Sequence, residues 1–187
     1  MNIKIVLLLL AIIFTACKNE NSTETEQAET PTEAISETTP EQTPAVLVGP
    51  IRFETLQKTP YKDLFVFEAV TFNEDQVALL KPLSKDVHFT VALGSWCEDS
   101  QFLIPRFYAL TKALSIDESA IELVAVDEEK ITPEAFIKEN DIAYVPTIIV
   151  QKNNNELGRI VELTIEDLAS DLLKILSGED YKHTYQE

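Results

Sequence analysis

Val87-His88-Phe89-Thr90-Val91-Ala92-Leu93 leads directly into Gly94-Ser95-Trp96-Cys97, and a helical pattern follows over residues 97–114. The first run has the length and the β-branched and aromatic content of a buried strand, and the period then changes to that of a helix. Whatever fold the chain adopts must bury this strand and leave the start of the helix open. A cysteine at that junction is placed for chemistry. The unpaired N–H groups and positive dipole end of a first helical turn favour thiolate over thiol. A thiolate attacks disulfides, peroxides or carbonyls. Glu98 and Asp99 oppose it by charge, although a helix start also accommodates carboxylates.

Two other stretches agree with this junction. Pro105 lies eight residues after Cys97, inside the helical pattern. Tyr144-Val145-Pro146-Thr147 precedes an apolar strand, a polar turn at Asn153-Asn154-Asn155 and a further strand. In the order strand, Trp-Cys-x-x-Ser, proline-bearing helix, Val-Pro-Thr and hairpin, the chain resembles thioredoxin over roughly residues 87–176. The resemblance implies an α/β fold, a thioredoxin-like central mixed β-sheet flanked by helices. It implies Cys97 as nucleophile assisted by Ser100, with Trp96, Val145 and Pro146 contacting substrate. A cis peptide before Pro146 would set the backbone N–H and C=O of Val145 beside Cys97, ready to pair with an extended chain. Two departures stand out. Ser100 occupies the position of the second cysteine, and Val91 that of the buried acid which assists proton transfer.

Each site residue also has a plainer reading. A lone cysteine often serves as a small buried hydrophobe; the strand-end position and the neighbouring Trp96 favour a reactive one. Ser100 either hydrogen-bonds the thiolate or is an ordinary first-turn residue. Trp96 is an exposed contact surface or a half-buried core aromatic, and Pro146 a cis proline or a plain loop proline. His88 and His183 are far apart without a Cys/His cluster at ligand spacing, so no metal is expected, and no cofactor either.

A formal net charge of -17 leaves no basic patch to neutralise phosphates, which excludes nucleic acid as a partner. It equally removes electrostatic attraction to anionic lipid. Membrane attachment therefore needs another device, and the first residues supply one. After Met1-Asn2-Ile3-Lys4, residues 5–14 form an apolar segment too short to span a bilayer. It ends in Phe14-Thr15-Ala16-Cys17, which resembles a bacterial lipobox. The resemblance implies cleavage before Cys17 and acylation of that residue, where several chains give stable anchoring. Cleavage as an ordinary signal peptide, with Cys17 free, is the alternative. With Cys17 lipidated, Cys97 is the only thiol left in the mature chain, in a compartment where disulfides persist.

Five segments are expected: a signal peptide over 1–17, a linker over 18–50, an N-terminal extension with a first helix over 51–86, the core over 87–178, and a loose polar tail over 179–187. The linker carries seven glutamates against one lysine and four prolines. Such a composition buries too little apolar surface to order itself, and it suits an extended tether. The stretch from Pro60 to Phe67 packs on the core as a helix or an irregular extension. Asn73 caps a helix over 74–83 with Val77, Leu80 and Leu83 inward. Residues 121–126 form the next strand. Thr132-Pro133-Glu134 starts a short helix, with Thr132 as cap and Pro133 first. Strands over 147–151 and 158–163 form the hairpin. Thr164 caps a last helix over 165–176, with Leu168, Leu172, Ile175 and Leu176 inward, and Gly178 ends it.

Two functions fit. One is thiol–disulfide exchange through Cys97 alone, with protein or small-molecule thiols and disulfides as partners, on a monomer anchored in the bacterial cell envelope, at the periplasmic face or the cell surface. The other is a redox-inactive binding module for extended segments.

Overall fold

The computed structural model describes residues 44–186; the signal segment with Cys17 and most of the linker lie outside them. Five strands form one sheet in the order β1-β3-β2-β4-β5. They are β1 (Gly49–Pro50), β2 (Val87–Leu93), β3 (Ile121–Ala125), β4 (Thr147–Lys152) and β5 (Asn155–Val161). β2 pairs parallel with β3 and antiparallel with β4, β4 pairs antiparallel with β5, and β1 runs antiparallel to β3. The sheet is thus mixed. The strand leading to Cys97 is its centre, with Val91 opposite Leu123 on one side and Ile148 on the other. Every residue of β2 except His88 is buried, as expected of a strand covered on both faces.

Helices cover the sheet: α1 (Phe53–Leu56), α2 (Glu74–Leu83), α3 (Glu98–Leu114), α4 (Glu134–Asn140) and α5 (Leu168–Ser177). The protein is therefore α/β, a five-stranded mixed sheet flanked by helices. Side chains alternate across a strand, so one face of β2 carries Phe89, Val91 and Leu93 and the other carries Ala92. The first set packs with Leu80 of α2, Ile104, Phe107 and Leu110 of α3, and Leu172 and Ile175 of α5. Ala92 and Ile149 pack with Val126, Ile142 and Val145, and Phe136 and Ile137 of α4 lie against them. Each fully buried Leu, Ile or Phe contributes about 1.5–3 kcal/mol. The larger cluster holds the fold together and the smaller one underlies the Cys97 loop.

Local chemistry explains several boundaries. The Asn73 side chain accepts from Asp75 N–H at 2.9 Å and starts α2 as expected. Leu80 is fully buried on it, while Val77 and Leu83 are only half-buried. Asn153 and Asn154 both take positive φ, 52° and 61°, and turn the β4–β5 hairpin. Gly178 closes α5 with φ 75°, a left-handed cap that favours glycine.

Four expectations are corrected. The Thr132–Pro133 pair does not open α4 with Thr132 as cap; Pro133 is the capping position and Glu134 the first helical residue. The last helix starts at Leu168 with Asp167 as its cap, whose carboxylate accepts from Ala169 and Ser170 N–H. The ordered chain begins before residue 51: Tyr61 Oη donates to Ala45 O at 3.0 Å, and Ile51 N–H donates to Leu123 O at 2.9 Å. The polar tail is not loose. Tyr181 Oη donates to Asp171 Oδ2 at 3.1 Å, and the Tyr185 ring stacks on Tyr144 with centroids 4.0 Å apart.

Candidate functional site

Cys97 is the capping residue at the start of α3, where central strand β2 delivers the chain through Gly94-Ser95-Trp96. The loop is pinned from several directions. Cys97 N–H donates to Gly94 O at 3.1 Å, and the Gln101 side chain donates to Ser95 O at 3.0 Å. Ser95 is buried, and its hydroxyl accepts from Leu47 N–H at 2.9 Å. Gly94 is required here by close approach. A Cβ at this position would stand 2.7 Å from the Trp96 ring.

Ser100 is wholly buried, and its hydroxyl oxygen accepts from Gly94 N–H at 3.1 Å. The oxygen accepts from the loop backbone, and the hydroxyl keeps its own hydrogen to donate. Ser100 thus holds the strand-to-helix corner in place. Its side chain occupies the interior one turn along α3 from Cys97.

The Cys97 thiol makes no capping bond to its own helix. It donates instead to Val145 O at 3.2 Å, across the gap between α3 and the loop before β4. The Val145–Pro146 peptide is cis. The thiol is half-buried, the only free cysteine among the described residues. Carbonyl 145 thus stands beside the sulfur as the sequence implied, but the side chains of Val145 and Pro146 are both buried. Only Tyr144, immediately before them, offers an exposed face, at 40%.

Trp96 is half-buried and not an exposed platform. Its indole N–H donates to Val126 O at 3.2 Å, and it packs with Cys97 against the small cluster around Val145 and Ile149. Lys130 stands over its ring at 5.6 Å, a cation–π contact. The loop carrying Lys130 is organised by Asp127, whose carboxylate accepts from Ile131 N–H at 2.7 Å and Thr132 N–H at 3.0 Å. Burial pushes the Asp127 carboxyl up, but those N–H bonds outweigh it and hold it below the usual range. A groove of about 500 Å³ between Leu64, Val70, Phe102 and Arg106 runs along α3 and reaches Glu98.

No three His, Cys, Asp or Glu side chains converge on a metal-sized space among the described residues. His88 is an exposed residue of β2. His183 lies in the tail, where its Nδ1 accepts from Tyr185 N–H at 3.3 Å. Sequence reasoning missed Ser95, Lys130, Asp127, Tyr144, Glu162 and Tyr185 around this site. Ser95, Tyr144, Lys130, Glu162 and Tyr185 act on residues remote in the chain, whereas Asp127 organises its own loop through N–H groups four and five residues on.

No protein family matches the chain, and no curated protein matches it significantly. Solved structures do. A protein of unknown function from Pseudomonas aeruginosa is 18% identical, with 58% of this chain and 75% of that one covered at a TM-score of 0.45. An HIV epitope-scaffold is 17% identical, with 67% of this chain and 70% of that one covered at 0.39. Likenesses of this size carry no argument about what the chain does.

Proposed function

We propose that the chain is a thioredoxin-like protein that exchanges thiols and disulfides through Cys97 alone. The observation that carries this reading is the half-exposed Cys97 sulfur at the start of α3, 3.2 Å from the carbonyl that precedes a cis proline. The Cys97 thiolate attacks one sulfur of a client disulfide. The client S–S bond breaks, a Cys97–client disulfide forms, and the other client sulfur leaves as a thiolate. Without a second cysteine at position 100, an external thiolate must attack the client sulfur of this mixed disulfide, which forms an external thiol–client disulfide and frees Cys97 as its thiolate. The test is to incubate the protein with oxidised glutathione, quench in acid and weigh it. Wild type should accumulate the glutathione adduct on Cys97 yet reduce insulin poorly. Ser100→Cys should gain insulin reduction, to less than a full thioredoxin level because Val91 supplies no carboxylate. Absence of both the adduct and the gain overturns the reading.

The second reading, a redox-inactive module that binds extended segments, draws on serine in place of a second cysteine at position 100 and on the buried, apolar Val91 in place of an acid. Under it, Cys97 forms no adduct while peptide binding persists.

We also propose that Cys17 carries a lipid anchor and that the acidic linker tethers the domain at the cell envelope. No helix among the described residues is long and apolar enough to cross a membrane. Cys17→Ser should leave the protein unprocessed or shift it out of the membrane fraction. Unchanged acylation and membrane recovery would rule the anchor out.

A further inference from the structure

The tail ends against the same loop that meets Cys97. Tyr185 lies flat on Tyr144, with centroids 4.0 Å apart and planes 6° apart. Tyr144 is the residue before Val145, whose carbonyl accepts from the Cys97 thiol. The Tyr185 hydroxyl donates to the Glu162 carboxylate. Glu162 sits in the left-handed region at φ 57°, an uncommon conformation for a residue other than glycine. Its N–H donates to Pro146 O at 2.7 Å, which ties it to the cis-proline loop. On the other side Asp99, two residues after Cys97, is close enough for its charge to act on the Tyr185 hydroxyl.

A flat aromatic face with a carboxylate at its rim matches a tyrosine side chain, the ring by stacking and the phenol by donating to a charged acceptor. We propose that Tyr144 and Glu162 form a tyrosine subsite beside Cys97, filled in the resting chain by its own Tyr185. Residues 183–186 are then a strap across the approach to the thiol, and an extended tyrosine-bearing segment competes with it. This rests on the exchange reading for its purpose, though not for its geometry. Both rings stay half-exposed, 40% for Tyr144 and 46% for Tyr185, so the strap lies on the surface and lifts without opening the core.

Two measurements on the full chain test it. A fluorescein-labelled peptide with the sequence of residues 182–186 is titrated by anisotropy against wild type and Tyr185→Ala. It should bind the variant about fivefold more tightly, the change expected for removing a competitor worth one aromatic pair. The same peptide with alanine for tyrosine should not bind, and Glu162→Gln should weaken the tyrosine peptide. Alkylation of Cys97 by iodoacetamide should likewise quicken about fivefold in Tyr185→Ala, with Tyr185→Phe between the two. Equal peptide binding and equal alkylation in wild type and Tyr185→Ala overturn the strap, even where Cys97 forms its glutathione adduct. Competitive peptide binding on a chain whose Cys97 never forms that adduct upholds the subsite and overturns the exchange reading instead.

Discussion

Cys97 at the start of α3 and Asp171 within α5 each set a polar side chain against loop backbone, and they use it in opposite ways. Asp171 is wholly buried inside α5. Its carboxylate accepts from Ile165 N–H at 2.7 Å, Glu166 N–H at 3.1 Å and Tyr181 Oη at 3.1 Å. These three bonds join the loop before α5 and the tail to the helix that carries Asp171. The Cys97 side chain makes one bond, to Val145 O, and the residue stays half-exposed. A buried group whose partners are all backbone or tail is a structural clamp. A half-open thiol whose surroundings are pinned by other residues is free to react. Ser100 lies between these cases: it adjoins the reactive residue but is buried and bonded like Asp171.

This contrast breaks most directly at Asp171. Asp171→Ala deletes three hydrogen bonds to a charged acceptor and should cost about 3 kcal/mol of unfolding free energy in urea titration. Cys97→Ala should cost less than about 1 kcal/mol, because it loses one weak thiol bond and little packing. Equal losses in the two variants would erase the distinction. Ser100→Ala is the intermediate case. It leaves the buried Gly94 N–H unpaired and should cost about 2 kcal/mol. The same substitution should alter the alkylation rate of Cys97, since the corner it holds carries the thiol. A rate identical to wild type would place Ser100 outside the site.

The smallest effect sharpens the comparison at the tail. Burial beside the Asp171 carboxylate pushes the Tyr181 phenol well above its ordinary value, and the hydrogen bond to Glu162 pushes Tyr185 up to about 12. Both folded values are raised, so the protonated phenols stabilise the tail fully below the ordinary tyrosine pKa of about 10. That contribution fades as pH rises from there through the folded values. Alkaline titration followed by phenolate absorbance should show two late transitions, and Tyr185→Phe should remove the one near 12. If Tyr185→Phe leaves the late transitions unchanged, its bond to Glu162 is absent in solution.

The residues around the reactive junction were legible in one dimension because their rules are local. Continuous burial marked β2 as a central strand, and the Trp-Cys step placed a thiol at the start of α3. Pro105 lies inside that helix, and Asn73 caps α2 through N–H groups two and three residues on. Helix and strand periods, like caps, depend on neighbours within a turn or two. The choice between Thr164 and Asp167 as the cap of α5 was not local in that sense. Asp171 accepts from the N–H groups of Ile165 and Glu166 in the loop before α5, and the helix starts at Leu168 with Asp167 as its cap. Asp127 likewise accepts from Ile131 and Thr132 N–H in the loop before α4, which starts at Glu134. The role of Ser100, the docking of Leu47 on Ser95 and the stack of Tyr185 on Tyr144 belong to this second kind. Leu47 and Ser95 are 48 positions apart, and a hydrogen bond over that separation exists only once strand order has brought the segments together. Periodicity and capping chemistry decide where elements form. Which buried donor meets which acceptor is settled by packing, because an unpaired buried group costs more than any single local preference.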